Sequence, residues 1–479
     1  MFSSFSLYFE LRIIENAIKT SISNKLDFLI KFSMCYSGFC IEYFFYKKGL
    51  IFISKNIIIF LKKIFTNDKK SYTIQEVKES YKMKKSVCEL FAGVGGFRVG
   101  LERSDSSWNT VWANQWEPGR KSQYAFDCYV KNFGKNENYI NEDIASIDKA
   151  TIPDHTLLVG GFPCQDYSVA HTGAQGIEGK KGVLWWQIRD ILEVKKPPFV
   201  LLENVDRLLK SPANQRGRDF GVILACFNDL GYTVEWRVIN AAEYGFAQRR
   251  RRTFIFAYKN RTKYGLNKEV NSLENLVLEN GFFIKEFPIE NNIDGQEWNF
   301  EYEDIYEISE KFKFDFKNAG IMRNGKIYTT EVLPKLVEST KLFQIIQDNV
   351  DEKYYIGDTI AKWEYAKGAK DILRKAGTPH EYHFREGAVP FPDPLDRPAR
   401  TMLTSEATLN RSSHAIEDPQ TKRIRKLTPI ETERINGFDD NWTDTGMPES
   451  FRYFTMGNAL VVGLIEKMGR ELNRIIEGE

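Results

Sequence analysis

From residue 86 onward, short apolar runs alternate with stretches of helical periodicity. Residues 86–91 predict a strand, followed by a glycine-rich turn and a helix from about Gly96. Further apolar runs predict strands at 110–114, 157–159, 199–202, 233–240 and 253–258. Strands separated by helical stretches predict an α/β fold with a doubly wound, mostly parallel sheet. Helical periodicity returns after Arg425, over residues 429–436 and in an amphipathic last helix over 458–476, entered at Gly457-Asn458.

Where the pattern breaks, it suggests boundaries. Residues 1–82 are rich in Phe, Ile, Lys, Ser and Asn and contain no proline. Their most apolar run, 49–65, carries Lys55, Lys62 and Lys63 and is too interrupted for a span of ~20 apolar residues. A helical extension, a membrane-surface segment and translated upstream sequence are the three readings, and the last is preferred, with the functional chain starting at Met83. Residues 83–258 then form the main part of one domain. Over 259–423 aromatic and charged residues mix without clear period, which predicts a second, smaller domain. Residues 424–479 return to the first.

Composition narrows the chemistry. The 479 residues carry a net charge of +2, so nucleic-acid binding would have to come from local patches. Six cysteines without a Cys-x-x-Cys pair, and five histidines without metal spacing, predict no metal site and no disulfide framework. A reducing, cytoplasmic setting fits this cysteine usage.

Several strand ends carry candidate chemistry. Phe91-Ala92-Gly93-Val94-Gly95-Gly96 is a strand-to-helix turn whose glycines let a ligand approach the backbone. Gly93, Gly95 and Gly96 are too compressed for Gly-x-Gly-x-x-Gly. Gln115 and Trp116 end the next strand, where a ribose and a base are reached in doubly wound sheets; a half-buried strand-end Trp is the plain alternative. Asp143-Ile144 follows at a third strand end. Gly160-Gly161-Phe162-Pro163-Cys164-Gln165 puts a cysteine on a stiff loop after a buried strand. Such a cysteine is either a nucleophile or a buried structural residue. Glu203 ends a further apolar strand, and a proton-sharing carboxyl there can bind a ring nitrogen. In Gln248-Arg249-Arg250-Arg251-Arg252, an extended backbone would put Gln248, Arg250 and Arg252 on one face.

The order of these motifs, with Arg425-Lys426-Leu427-Thr428-Pro429 and Gly457-Asn458-Ala459 closing it, resembles the DNA cytosine-5 methyltransferase family, prokaryotic restriction–modification type. The resemblance implies a Rossmann-like, S-adenosylmethionine-dependent methyltransferase fold. It makes 83–258 and 424–479 the catalytic domain and 259–423 the target-recognition domain. It implies that Cys164 attacks C6 of a flipped-out cytosine, that Glu203 grips N3 and the exocyclic amine, and that Arg252, supported by Arg250, holds O2. By the same resemblance Phe91, Ala92, Gly93, Gly95, Gln115, Trp116, Asp143, Ile144, Pro163, Leu184, Asn458 and Ala459 hold S-adenosylmethionine. Gln115 departs from the glutamate of many members: it keeps a hydrogen bond to the ribose hydroxyls and loses the charge. The implied partner is double-stranded DNA, with a restriction endonuclease as functional partner, no membrane, and a monomeric protein. The polar residues of 398–414, Arg400, Asn410 and Arg411 among them, suit bases and phosphates. An RNA cytosine methyltransferase, a catalytically dead DNA-binding module and a nicotinamide-dependent oxidoreductase are the competing readings. The large variable segment, the intact Cys164, Glu203 and Arg252, and the glycine spacing argue against each in turn.

Overall fold

The computed structural model describes residues 83–162, 184–375 and 381–479, together with the strands Ile30–Tyr36, Phe39–Tyr46 and Gly49–Ile53. The chain divides into two units, residues 1–82 and 83–479. In the first, the three strands form an antiparallel sheet in sequence order, so the part described is strand and not helix.

The second unit is built on a ten-stranded sheet. Its strands are β1 (Ser86–Leu90), β2 (Asn109–Asn114), β3 (Tyr139–Ile140), β4 (Leu157–Gly161), β5 (Phe199–Val205), β6 (Tyr232–Asn240), β7 (Arg251–Lys259), β8 (Ile289–Asn299), β9 (Ala319–Arg323) and β10 (Lys326–Pro334). One half runs β3-β2-β1-β4-β5 with every pairing parallel. This is the doubly wound order, and it puts a topological switch point beside β1. Leu157, Leu158 and Val159 of β4 and Phe199 to Leu202 of β5 are fully buried, as strands covered on both faces require. Beyond β5 the pairings, β7, β6, β9, β10 and β8, are antiparallel. The boundary expected at residue 259 is therefore not a break in the sheet, because β8 to β10 extend it. Alternation of apolar and polar residues is weak in those strands, which hid them from a periodicity argument.

Helices cover both faces: α1 (Gly96–Ser104), with the last helix, shares a core cluster with one face, and α3 (Leu184–Lys195) and α4 (Arg218–Asp229) share a second cluster with the other. The remaining helices are α2 (Tyr124–Phe133), α5 (Ile360–Lys367), α6 (Pro429–Asn436), α7 (Glu449–Asn458) and the last, α8 (Val462–Gly478). α6 starts at a capping box between Thr428 and Glu431 with Pro429 in its first turn. α8 buries Leu464, Ile465, Met468, Leu472 and Ile475, one apolar stripe at helical spacing, in a core cluster shared with Phe97 and Leu101 of α1. The last helix does not begin at Asn458 as its sequence suggested. Gly457-Asn458 closes α7, and an extended Ala459 separates it from α8. The apolar residues of 451–456 give α7 its own buried face, so the periodicity runs through a real break.

Candidate active site

The parallel strands end on one edge of the sheet, and the turns that follow them build the site. After β1, positive φ at Phe91 (53°), Gly93 (57°) and Gly95 (89°) curls the chain into α1. A Cβ on Gly95 would lie 2.3 Å from the Phe133 ring, whereas one on Gly93 would meet nothing within 4 Å. The turn is thus packed from behind and open in front, as a ligand-facing glycine turn must be. The backbone N–H of Ala92 donates to the Asn114 carbonyl (2.9 Å), and that of Gly93 donates to Gln115 Oε1 (2.8 Å). On the next turn, Asn141 Nδ2 donates to the Gln115 carbonyl (2.6 Å) and Asn114 Nδ2 to the Glu142 carbonyl (2.9 Å).

These bonds bring Phe91, Ala92, Gly93, Gly95, Gln115 and Asp143 together. Asp143 spends one carboxylate oxygen as a cap, accepting from the Ala145 N–H at 3.0 Å. Ile144 is buried in the cluster against which Phe91 and Leu184 pack. Trp116 follows Gln115 and is 36% exposed. Asn458 is exposed at the end of α7, and Ala459 is half-buried. The next residue, Leu460, sits 3.1 Å from where a Cβ on Gly96 would be, which ties this end to the first turn of α1. The open cradle at Gly93, the half-exposed indole and the apolar floor at Ile144 fit a nucleoside-bearing cofactor.

The second half of the site lies where β4 and β5 end. Pro163 and Cys164 lie outside the described residues, but the strand that leads to them is fixed. Phe162 N–H donates to the Glu203 carbonyl (3.3 Å), and Asn204 Nδ2 donates to the Phe162 carbonyl (2.8 Å). A Cβ on Gly161 would lie 3.1 Å from Glu203 Oε2, so the glycine leaves room for that carboxylate. Arg252 Nε forms an ion pair with Glu203 Oε1 at 2.7 Å, with the two side chains 17% and 14% exposed. Arg252 Nη1 is turned to the Arg251 carbonyl (2.8 Å). Neither Arg252 Nη2 nor Glu203 Oε2 makes a hydrogen bond among the described residues.

The predicted alternation in the arginine run is observed. Gln248 and Arg250 are buried and Arg252 is half-buried, whereas Arg249 and Arg251 are exposed. Arg250, however, does not touch Glu203. Its guanidinium donates to the carbonyls of Met402 (3.3 Å), Gly457 (3.1 Å) and Asn458 (3.4 Å). Burial, with Arg252 close by, pulls it down to about 9.

Three polar residues of the variable segment also turn inward. Arg400 holds Asp393 (Nε to Oδ1, 2.7 Å), Asn410 bonds Ser405, Thr408 and Ser413, and Arg411 reaches the carbonyls of Lys367 and Gly368. They brace their own loops. Sequence reasoning also gave no role to Asn204, next to Glu203, or to Gln248, which opens the arginine run; nothing local in the sequence marks a side chain that fixes a distant backbone.

Three comparisons bear on this geometry. A family model described as C-5 cytosine-specific DNA methylase matches residues 85–474. The type II methyltransferase M.Sau3AI of Staphylococcus aureus is 51% identical over 400 residues, covering 82% of this chain and 96% of its own. M.SsoII of Shigella sonnei, also a type II methyltransferase, is 26% identical over 384 residues, covering 80% and 79%. Among solved structures, the Dnmt2 methyltransferase of S. pombe superposes with a TM-score of 0.51 at 15% identity, covering 82% of this chain and 98% of its own. That likeness speaks for the Rossmann-like fold.

Proposed function

The chain belongs to the family of C-5 cytosine-specific DNA methylases, and from that premise we propose that Cys164, Glu203 and Arg252 carry out the reaction on a cytosine extruded from the duplex. It is a DNA cytosine-5 methyltransferase of the restriction–modification type. The observation that carries the site assignment is the Glu203–Arg252 pair, set against the strand end from which the chain runs on to Cys164.

Cytosine C5 is a poor nucleophile until a thiolate adds to C6. The Cys164 thiolate forms that bond, and the electron pair moves toward N3, where Glu203 shares a proton with the ring. Arg252 donates to O2, so developing negative charge meets a fixed cation in a half-buried setting. After C5 has gained a methyl group, loss of the C5 proton to a base lets Cys164 leave as thiolate. The ring is out of reach in stacked DNA, so the base must be flipped.

The residues after β1, β2 and β3, with Leu184, Pro163, Asn458 and Ala459, would hold S-adenosylmethionine. When bound, it supplies an electrophilic methyl group. Residues 259–423 would recognise the target, reading base edges in the major groove. The partner is double-stranded DNA, and the methylation would protect host DNA from a restriction endonuclease in the cytoplasm, with the enzyme acting as a monomer. Among the described residues no helix is long and apolar enough to cross a membrane.

Bisulfite sequencing of DNA from cells expressing the protein tests the reading. One short sequence should carry a protected cytosine, and a Cys164→Ser variant should leave none. Full protection by that variant, or none by the unaltered protein, overturns it.

A further inference from the structure

Met402 lies within the variable segment, yet both of its backbone polar groups are held by the arginine-rich run. Its N–H donates to Gln248 Oε1 (3.2 Å), and its carbonyl accepts from Arg250 Nη1 (3.3 Å). The same two side chains reach the segment where α7 ends. Gln248 Nε2 donates to Asn436 Oδ1 (2.8 Å), and Asn436 Nδ2 donates to the Met456 carbonyl (2.8 Å). Arg250 Nη2 donates to the carbonyls of Gly457 and Asn458. Gln248, Arg250 and Asn436 are at most 2% exposed.

The two segments that they join also touch. A Cβ on Gly457 would fall 2.4 Å from the Leu403 carbonyl carbon and from Thr404 N, so only a glycine lets the 402–404 backbone pack there. The backbone of the run is paired to the variable segment as well: Ala399 N–H donates to the Ala247 carbonyl (2.7 Å), Arg249 N–H to the Ala399 carbonyl (2.8 Å), and Thr401 Oγ1 to the Arg249 carbonyl (2.6 Å). Any shift of 399–404 therefore acts on Gln248 and Arg250, through Arg250 on Gly457 and Asn458, and through Gln248 and Asn436 on Met456.

We infer that Gln248 and Arg250 are positioning residues that couple target recognition to cofactor binding: DNA seated against the 402–404 segment fixes the Met456–Asn458 carbonyls and so tightens the cofactor site. This rests on the reading of residues 259–423 as the DNA-recognition part and of Asn458 as a cofactor contact. Buried side chains bonded to both segments at once suit such a link, because neither segment shifts without straining the bonds to the other. Arg250 Nε has no partner among the described residues, so the guanidinium is held only through its two terminal nitrogens. Coupling between two ligands is reciprocal, so the cofactor should tighten DNA binding by the same factor.

The test is calorimetric titration of the full chain with S-adenosylhomocysteine, which does not turn over. It is done alone, with a duplex carrying the sequence found by bisulfite sequencing, and with a scrambled duplex. In the unaltered protein the specific duplex should raise affinity by roughly five- to fiftyfold, and the scrambled one should not. Arg250→Lys, which keeps the charge and loses the fork, and Gln248→Leu should each bring that ratio to within about twofold of one. A merely structural loss lowers affinity with and without DNA and leaves the ratio alone. An unaltered protein that methylates DNA but shows a ratio of one, or variants that keep its ratio, overturns the coupling and leaves the activity standing. A protein that methylates no cytosine overturns the functional reading itself.

Discussion

Arg252 and Glu203 face each other diagonally across the antiparallel pair β5 and β7: Arg252 lies opposite Val205, Glu203 opposite Phe254, and Arg252 Nε meets Glu203 Oε1 at 2.7 Å. The ion pair orients both groups, since a contact of 2.7 Å between two partly buried side chains leaves each little freedom to turn. Glu203→Gln keeps the shape but ends proton sharing with the ring, and Arg252→Met removes the cation. Each should lower the rate of methyl transfer by ~10²–10³, measured as kcat with tritiated methyl donor on specific DNA. A change confined to KM would count against roles in the transition state.

That pair was legible in the sequence for a simple reason. Glu203 closes one apolar run and Arg252 opens another, and a polar residue at the margin of a buried strand has few other uses. The alternation that buries Gln248 and Arg250 also follows from a period of two. Three features were not legible. β8 to β10 lack a clean apolar face, so nothing local showed that they extend the sheet. The break between α7 and α8 lies inside one continuous helical period. The inward turn of Arg400, Asn410 and Arg411 depends on carbonyls and carboxylates brought close only by folding. Residue type suggested DNA contacts, whereas tertiary packing used those side chains as internal braces.

Gln115 Oε1 accepts from the Gly93 N–H at 2.8 Å. A carboxylate there would accept the same bond with full charge and keep its second oxygen for the ribose hydroxyls. Charge-assisted bonds are about twice as strong as neutral ones. Gln115→Glu should tighten S-adenosylhomocysteine binding by about 1 kcal/mol, roughly fivefold, and Gln115→Ala should weaken it. Calorimetric titration without DNA reads both; equal or weaker binding by the glutamate variant would sink the role.

Arg425 is fully buried and donates to two buried carboxylates, Asp418 (Nε, 2.8 Å) and Glu431 (Nη2, 2.7 Å). Glu431 also completes the capping box of α6, so the arginine ties Asp418 to the start of that helix. Arg425→Met leaves two uncompensated anions and should cost ~3–5 kcal/mol, read by urea unfolding. Asp418→Asn with Glu431→Gln in the same background should recover part of that loss, since the uncompensated charge is then gone. No recovery would show that the arginine acts by volume alone.

Glu89 sits fully buried in β1, two residues before the glycine turn begins at Phe91. Burial pushes its carboxyl from the ordinary 4.5 up to about 7, against the Tyr129 hydroxyl, which donates to Oε2 at 2.8 Å, and nearby Arg98. Oε1 has no partner among the described residues, as suits a carboxyl that keeps its proton. As pH rises from about 4.5 to about 7, the unfolded chain has released this proton and the folded one still holds it. The unfolded state then binds fewer protons, so stability falls with rising pH across that window and levels off above it. Glu235, also buried and also pushed up to about 7 by burial, adds a second slope of the same sign. Lys85 opposes them at lower pH, because its hydrogen bond holds Asp105 down to about 2 and that stability is lost only below the usual carboxylate range. Glu89→Gln should therefore flatten the fall in unfolding free energy between pH 5 and pH 7 by up to ~3 kcal/mol, and Glu235→Gln should flatten it again. The slope, not the absolute stability, is the quantity to measure, since an amide at either site brings its own packing change. A slope unchanged in both variants would mean that neither carboxyl is protonated in the folded protein at neutral pH.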